Sequence, residues 1–64
     1  MLVNVELKST RRSLRRETRS IHNPKDDLEL RAVGTAIAKS LGYPPAGLIL
    51  IVRDGDREVA RLTL

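Results

Sequence analysis

His22 is the one imidazole in the chain, so general-base or transition-metal chemistry would have to pass through it. It stands beside Asn23-Pro24, at a boundary between elements. A single His, with no Cys and no second His, does not complete a transition-metal site from ordinary ligands. As a general base it would need a nucleophile and an orienting group, and Ser9, Ser13, Ser20 and Ser40 form no nucleophile-elbow pattern. Asp54, Asp56 and Glu58 alternate around a turn, but a calcium loop needs more ligands over a longer register. Turn chemistry accounts for them better. Gly42, Gly47 and Gly55 do not form a phosphate-cradling loop. Tyr43 is the sole aromatic, so a stacking platform for single-stranded nucleic acid is missing, as is the ribonucleoprotein sheet motif. These residues predict a non-enzyme with no catalytic group, metal, cofactor or small-molecule substrate.

The feature that does stand out is charge. Residues 8 to 25 carry Lys8, Arg11, Arg12, Arg15, Arg16, Arg19 and Lys25 against Glu17 alone. The rest of the chain has five cations and seven carboxylates, so this one segment supplies the whole net charge of +4. Arginine offers a rigid fork of donors that matches carboxylate and phosphate. A block of like charge also keeps an edge strand soluble, and both readings apply to this segment.

With 64 residues the chain is one domain, residues 1 to 64. Its core must be built from nineteen Val, Ile and Leu, since Phe, Trp and Cys are absent. No apolar stretch approaches the roughly 20 residues of a membrane helix. Met1-Leu2-Val3-Asn4-Val5-Glu6 lacks the basic region and apolar core of a signal peptide. The expectation is a cytoplasmic protein with no membrane partner.

Residues 1 to 8 alternate, with Met1, Val3, Val5 and Leu7 on one face, which reads as a half-buried strand. Ser9-Thr10-Arg11-Arg12-Ser13 is a polar turn. Over Leu14 to Ile21 a strand would need a bulge to bring both ends to the same face. A helix would give only a thin stripe of Leu14, Thr18 and Ile21. A strand paired with the first fits the short turn. Asn23-Pro24-Lys25-Asp26 reads as a helix entry with Asn23 as cap, and Asp26 with Glu29 offers an alternative start three residues later. Leu30, Val33, Ile37 and Leu41 follow helical spacing, widened by Ala36, with Leu28 available to anchor the first turn. Gly42 and Pro44-Pro45 stop the helix. Gly34 in its middle permits close approach to a sheet. Leu48-Ile49-Leu50-Ile51-Val52 is apolar on both faces, Asp54-Gly55-Asp56 marks a hairpin, and Glu58 to Leu64 alternates again.

The order strand, strand, helix, strand, strand is the β-grasp plan. Leu41-Gly42-Tyr43-Pro44-Pro45-Ala46-Gly47-Leu48-Ile49-Leu50-Ile51-Val52-Arg53-Asp54-Gly55 resembles the ubiquitin-like branch: a helix ending in Gly, one residue, Pro-Pro, a spacer, an apolar strand and a Gly turn. Asn23-Pro24-Lys25-Asp26-Asp27-Leu28 is similar to the ubiquitin helix entry, so the likeness spans residues 1 to 55. It implies an α+β fold with a four-stranded mixed sheet on one helix, the first and last strands central and parallel. Ubiquitin finishes in Gly-Gly, whereas this sequence finishes Arg61-Leu62-Thr63-Leu64, so conjugation is not expected.

Two functional readings follow. In the first, the chain is a ubiquitin-like protein-interaction module. It binds a partner or a second copy through Leu48, Ile49, Leu50 and Ile51, rimmed by Arg53, Arg57 and Arg61. In the second it is a small basic nucleic-acid-binding protein, using Lys8, Arg11, Arg12, Arg15, Arg16 and Arg19 on phosphates or on an acidic partner.

Overall fold

The computed structural model describes residues 1–64. Two strands, β1 (Leu2–Lys8) and β2 (Ser13–Ser20), precede one helix, α1 (Asp27–Leu41). Two more, β3 (Ile49–Asp54) and β4 (Arg57–Thr63), follow it. The four strands form a single sheet in the order β2-β1-β3-β4. The result is a small α+β domain with the expected element order. Its sheet, however, is antiparallel at every pairing, not mixed. The central pair is β1 with β3, in place of the parallel first and last strands that the resemblance implies. The side chains explain which strand of the second hairpin goes to the middle. Leu50 and Val52 of β3 are fully buried on one face and Ile51 is 2% exposed on the other, as a strand covered on both sides requires. β4 carries Arg57, Glu58 and Arg61, all exposed, and belongs at an edge.

Val3, Val5 and Leu7 of β1 and Leu50 and Val52 of β3 form the sheet half of the core, against Leu30, Ile37 and Ala38 of α1. The helix lies over β1, β3 and β4. Its buried stripe is Leu30, Gly34, Ile37 and Ala38, with Val33 and Leu41 half-buried. Ala36, expected to widen that stripe, faces solvent, and Leu28, expected to anchor the first turn, is 80% exposed. The slow drift of a 3.6-residue period carries the contact line towards Ala38 and away from residue 28.

Asp26 is the helix cap, its carboxylate accepting from the N–H groups of Leu28 and Glu29. Asn23 instead holds the preceding turn, its side chain accepting from Lys25 N–H. The later of the two possible starts is the real one, because Pro24 and Lys25 are spent in that turn. At the other end Gly42 adopts φ 79°, the left-handed conformation that favours glycine, and its N–H bonds back to the last helical carbonyls. Gly34 packs against Leu64: a Cβ built there would meet a Leu64 methyl at 2.9 Å.

β2 is a strand, and the bulge it needed is present. The pairing shifts between Leu7 and Lys8, which lets Leu14 pack on the same core as the buried Ile21. No helix of the structure is long and apolar enough to cross a membrane.

Candidate functional site

Directly opposed residues of paired strands share a face, so the registers place the charged side chains of the strands. Val3, Val5 and Leu7 oppose Arg19, Glu17 and Arg15. Those three polar residues therefore stand on the helix side of the sheet, on the strand outside the helix's main footprint. Glu17 accepts from Arg15 Nε at 2.8 Å and from Arg19 Nη1 at 3.3 Å.

Asn4, Glu6 and Lys8 oppose Arg53, Ile51 and Ile49, and Glu6 also opposes Arg16. These make up the opposite, open face, which no second layer covers. Glu6 sits at its centre with a side chain only 8% exposed, between Arg53 Nη1 at 2.9 Å and Arg16 Nε at 3.4 Å. The Arg53 hydrogen bond, supported by Ser13 and by the charge of Arg16, holds the Glu6 carboxyl below the usual carboxylate range, against an opposing push from burial. Arg61 opposes Ile51 from β4 and pairs with Glu58 at 2.9 Å. That pair lowers the Glu58 carboxyl and raises the Arg61 guanidinium. A depression of about 530 Å³ opens on this face, lined by Asn4, Glu6, Arg16, Thr18 and Arg53 among others.

The arginine-rich segment is thus not one surface. Strand alternation sends Arg16 to the open face and Arg15 and Arg19 to the other. Arg11 and Arg12 lie in the turn, which Ser9 builds by accepting from both of their N–H groups. Arg12 Nη2 donates to the Tyr43 hydroxyl at 2.9 Å, pinning the turn to the loop after the helix. Lys8, Arg11, Arg12 and Arg57 have no carboxylate within 4.0 Å.

The apolar run does not form the exposed patch expected of it. Leu48 and Leu50 are buried in the core and cannot meet a partner. Ile49 and Ile51 do point to the open face, but Ile49 is half-buried and Ile51 is 2% exposed. Long polar side chains do the covering: Glu6 and Arg61 flank Ile51 in the register, and arginine stems lie well over apolar surface. Of the three arginines expected as the border of an apolar patch, Arg61 instead covers this one and Arg53 shares its face, whereas Arg57, opposite Asp54, stands on the other side of the sheet.

His22 is exposed, and its backbone N–H donates to Glu29 Oε2 at 2.7 Å, as Asn23 N–H does to Oε1 at 2.8 Å. These two bonds hold the Glu29 carboxyl below its ordinary range and tie the loop to the first helical turn. Reading the sequence for sites did not single out Glu6 as a site residue. Its partner Arg53 is 47 residues away and no local spacing connects them.

The open face therefore gathers cations from both sets of residues singled out in the sequence: Lys8 and Arg16 from the basic segment, Arg53 and Arg61 from the second hairpin. Two carboxylates, Glu6 and Glu58, lie among them. Such an arrangement can hold carboxylates of a ligand through arginine forks already oriented by internal acids. Comparison of the chain with protein-family models, with curated proteins and with solved structures finds no match.

Proposed function

We propose that this chain is a non-catalytic protein-interaction module that receives an acidic partner protein on the open face of its sheet and on the adjoining β1–β2 turn. The observation that carries this reading is the placement of Lys8, Arg16, Arg53 and Arg61 on a face with no second layer, beside Arg11 and Arg12, which meet no carboxylate. Arg16 and Arg61 keep side-chain exposures of 74% and 53% while ion-paired, so each retains donors for an incoming carboxylate. Glu6 fixes the direction of Arg53 and lowers the entropy lost when a partner binds it.

The lack of aromatic side chains on this face, which leaves no platform to stack on a base, favours a protein partner over single-stranded nucleic acid. The ubiquitin-like residues 41 to 55 support the class of module, while the strand order leaves the reading to rest on the surface itself.

Titration with a polyglutamate peptide and with random-sequence DNA at moderate salt tests it. The peptide should bind, and replacing Arg11, Arg12 and Arg16 with Gln should remove binding while the chain keeps a cooperative melt. DNA bound in preference to the peptide, or peptide binding indifferent to the three substitutions, would overturn the proposal.

A further inference from the structure

β2 is an edge strand whose free side has backbone groups in known positions. Ile21 N–H donates to Met1 O and the Met1 ammonium donates to Ile21 O, each at 2.9 Å. In an antiparallel ladder, residues that exchange such bonds alternate with residues that do not. Arg15, Glu17 and Arg19 therefore bond inward to β1, and the N–H and C=O groups of Arg16, Thr18 and Ser20 point away from the sheet. No proline blocks this edge, and the bulge at Leu14 leaves residues 15 to 21 regular. Only the side-chain charges decide what can be added there.

Those charges are self-complementary in one register. We infer that two copies of this chain join antiparallel through their β2 edges, with Thr18 on the two-fold axis, into one continuous eight-stranded sheet. In that register Thr18 faces Thr18 of the second copy and Arg16 faces Ser20. Glu17 faces Arg19 twice across the axis, and Arg15 faces Ile21. No like charges are opposed. Sliding the copies by one backbone repeat in one direction puts Glu17 on Glu17 and Arg15 on Arg19; in the other it puts Arg19 on Arg19. A slide of two repeats that centres Arg16 puts Arg16 on Arg16. Opposed like charges are unfavourable and opposed unlike charges favourable, so the alternation Arg15, Glu17, Arg19 selects the Thr18-centred pairing and rejects its neighbours. The helix lies over β1, β3 and β4, so the joined edges sit away from it. The contact is polar and small, which makes it a concentration-dependent association.

Sedimentation over a series of protein concentrations should show a monomer–dimer equilibrium. Glu17→Arg alone and Arg19→Glu alone should each weaken it by about tenfold or more through opposed like charges. The double variant Glu17→Arg with Arg19→Glu should restore it, and melting curves establish that each variant is folded. Since the chain has no cysteine, Thr18→Cys introduces a sole thiol, and mild oxidation should link two copies through it faster than it links Lys39→Cys on the helix. A monomer at every concentration would overturn the inference. So would a dimer that the charge exchange does not restore, or one in which Thr18→Cys links no faster than Lys39→Cys.

Discussion

Arg53 Nη1 lies 2.9 Å from Glu6 Oε1 on the open face of the sheet, joining two residues 47 positions apart in a side-chain pair. The pair exists because β1 and β3 are neighbours. Glu6 also opposes Ile51 and with Arg61 flanks it, the one large aliphatic that β3 buries outside the helix-facing core.

The Glu6 carboxyl is held below its unfolded value, so the pair adds stability that is present above about pH 4.3, the ordinary glutamate value. That stability is lost as pH falls through the lower folded-state value. Glu29 and Glu58 are lowered as well and contribute in the same direction. Thermal melts between neutral and strongly acid pH should therefore show stability falling in acid. Glu6→Gln should lower stability at neutral pH by about 1–2 kcal/mol and make the acid slope shallower. An unchanged slope would mean that the carboxylate does not carry this interaction.

Neighbouring members of the apolar run should respond in opposite ways to the same substitution. Leu50 is fully buried in the core, so Leu50→Asp places an unpaired charge there and should unfold so small a domain. Val5→Asp, at a position 2% exposed, should do the same. Ile49 is half-buried on the open face, and Ile49→Asp should keep a cooperative melt and a native far-ultraviolet spectrum. Equal loss of structure in Ile49→Asp and Leu50→Asp would contradict the assignment of faces.

Gly34 and Leu64 should be thermodynamically coupled. Alanine in a helix interior gains about 1 kcal/mol over glycine, but a Cβ at residue 34 would come within 2.9 Å of a Leu64 methyl. Gly34→Ala in the native background should be close to neutral as these effects offset. In a Leu64→Ala background the obstruction is gone and the same change should stabilise by up to about 1 kcal/mol. Denaturant unfolding of the four variants measures the coupling, and an equal effect in both backgrounds would show that the contact has no energetic weight.

The elements are written locally in the chain. Alternation over Val3, Val5 and Leu7, helical spacing of Leu30 and Ile37, the Gly42 stop and the Gly55 turn are local signals. Each reflects dihedral preference or a side-chain period, and each element lies where they place it. The helix start was ambiguous because Asn23 and Asp26 both satisfy the chemistry of a cap. Only the bonds made by Glu29 to His22 and Asn23, and by Asp26 to Leu28 and Glu29, distinguish them. The apolar faces of β3 and the charges of β4 favour a central β3, but that β1 is its neighbour, and antiparallel to it, is fixed only by long-range pairing. The same holds for the surface. One residue of phase sends Arg16 to one side of the sheet and Arg15 and Arg19 to the other. The pairing of Glu6 with Arg53 and the covering of Ile51 depend on long-range register, which no local spacing in the chain encodes.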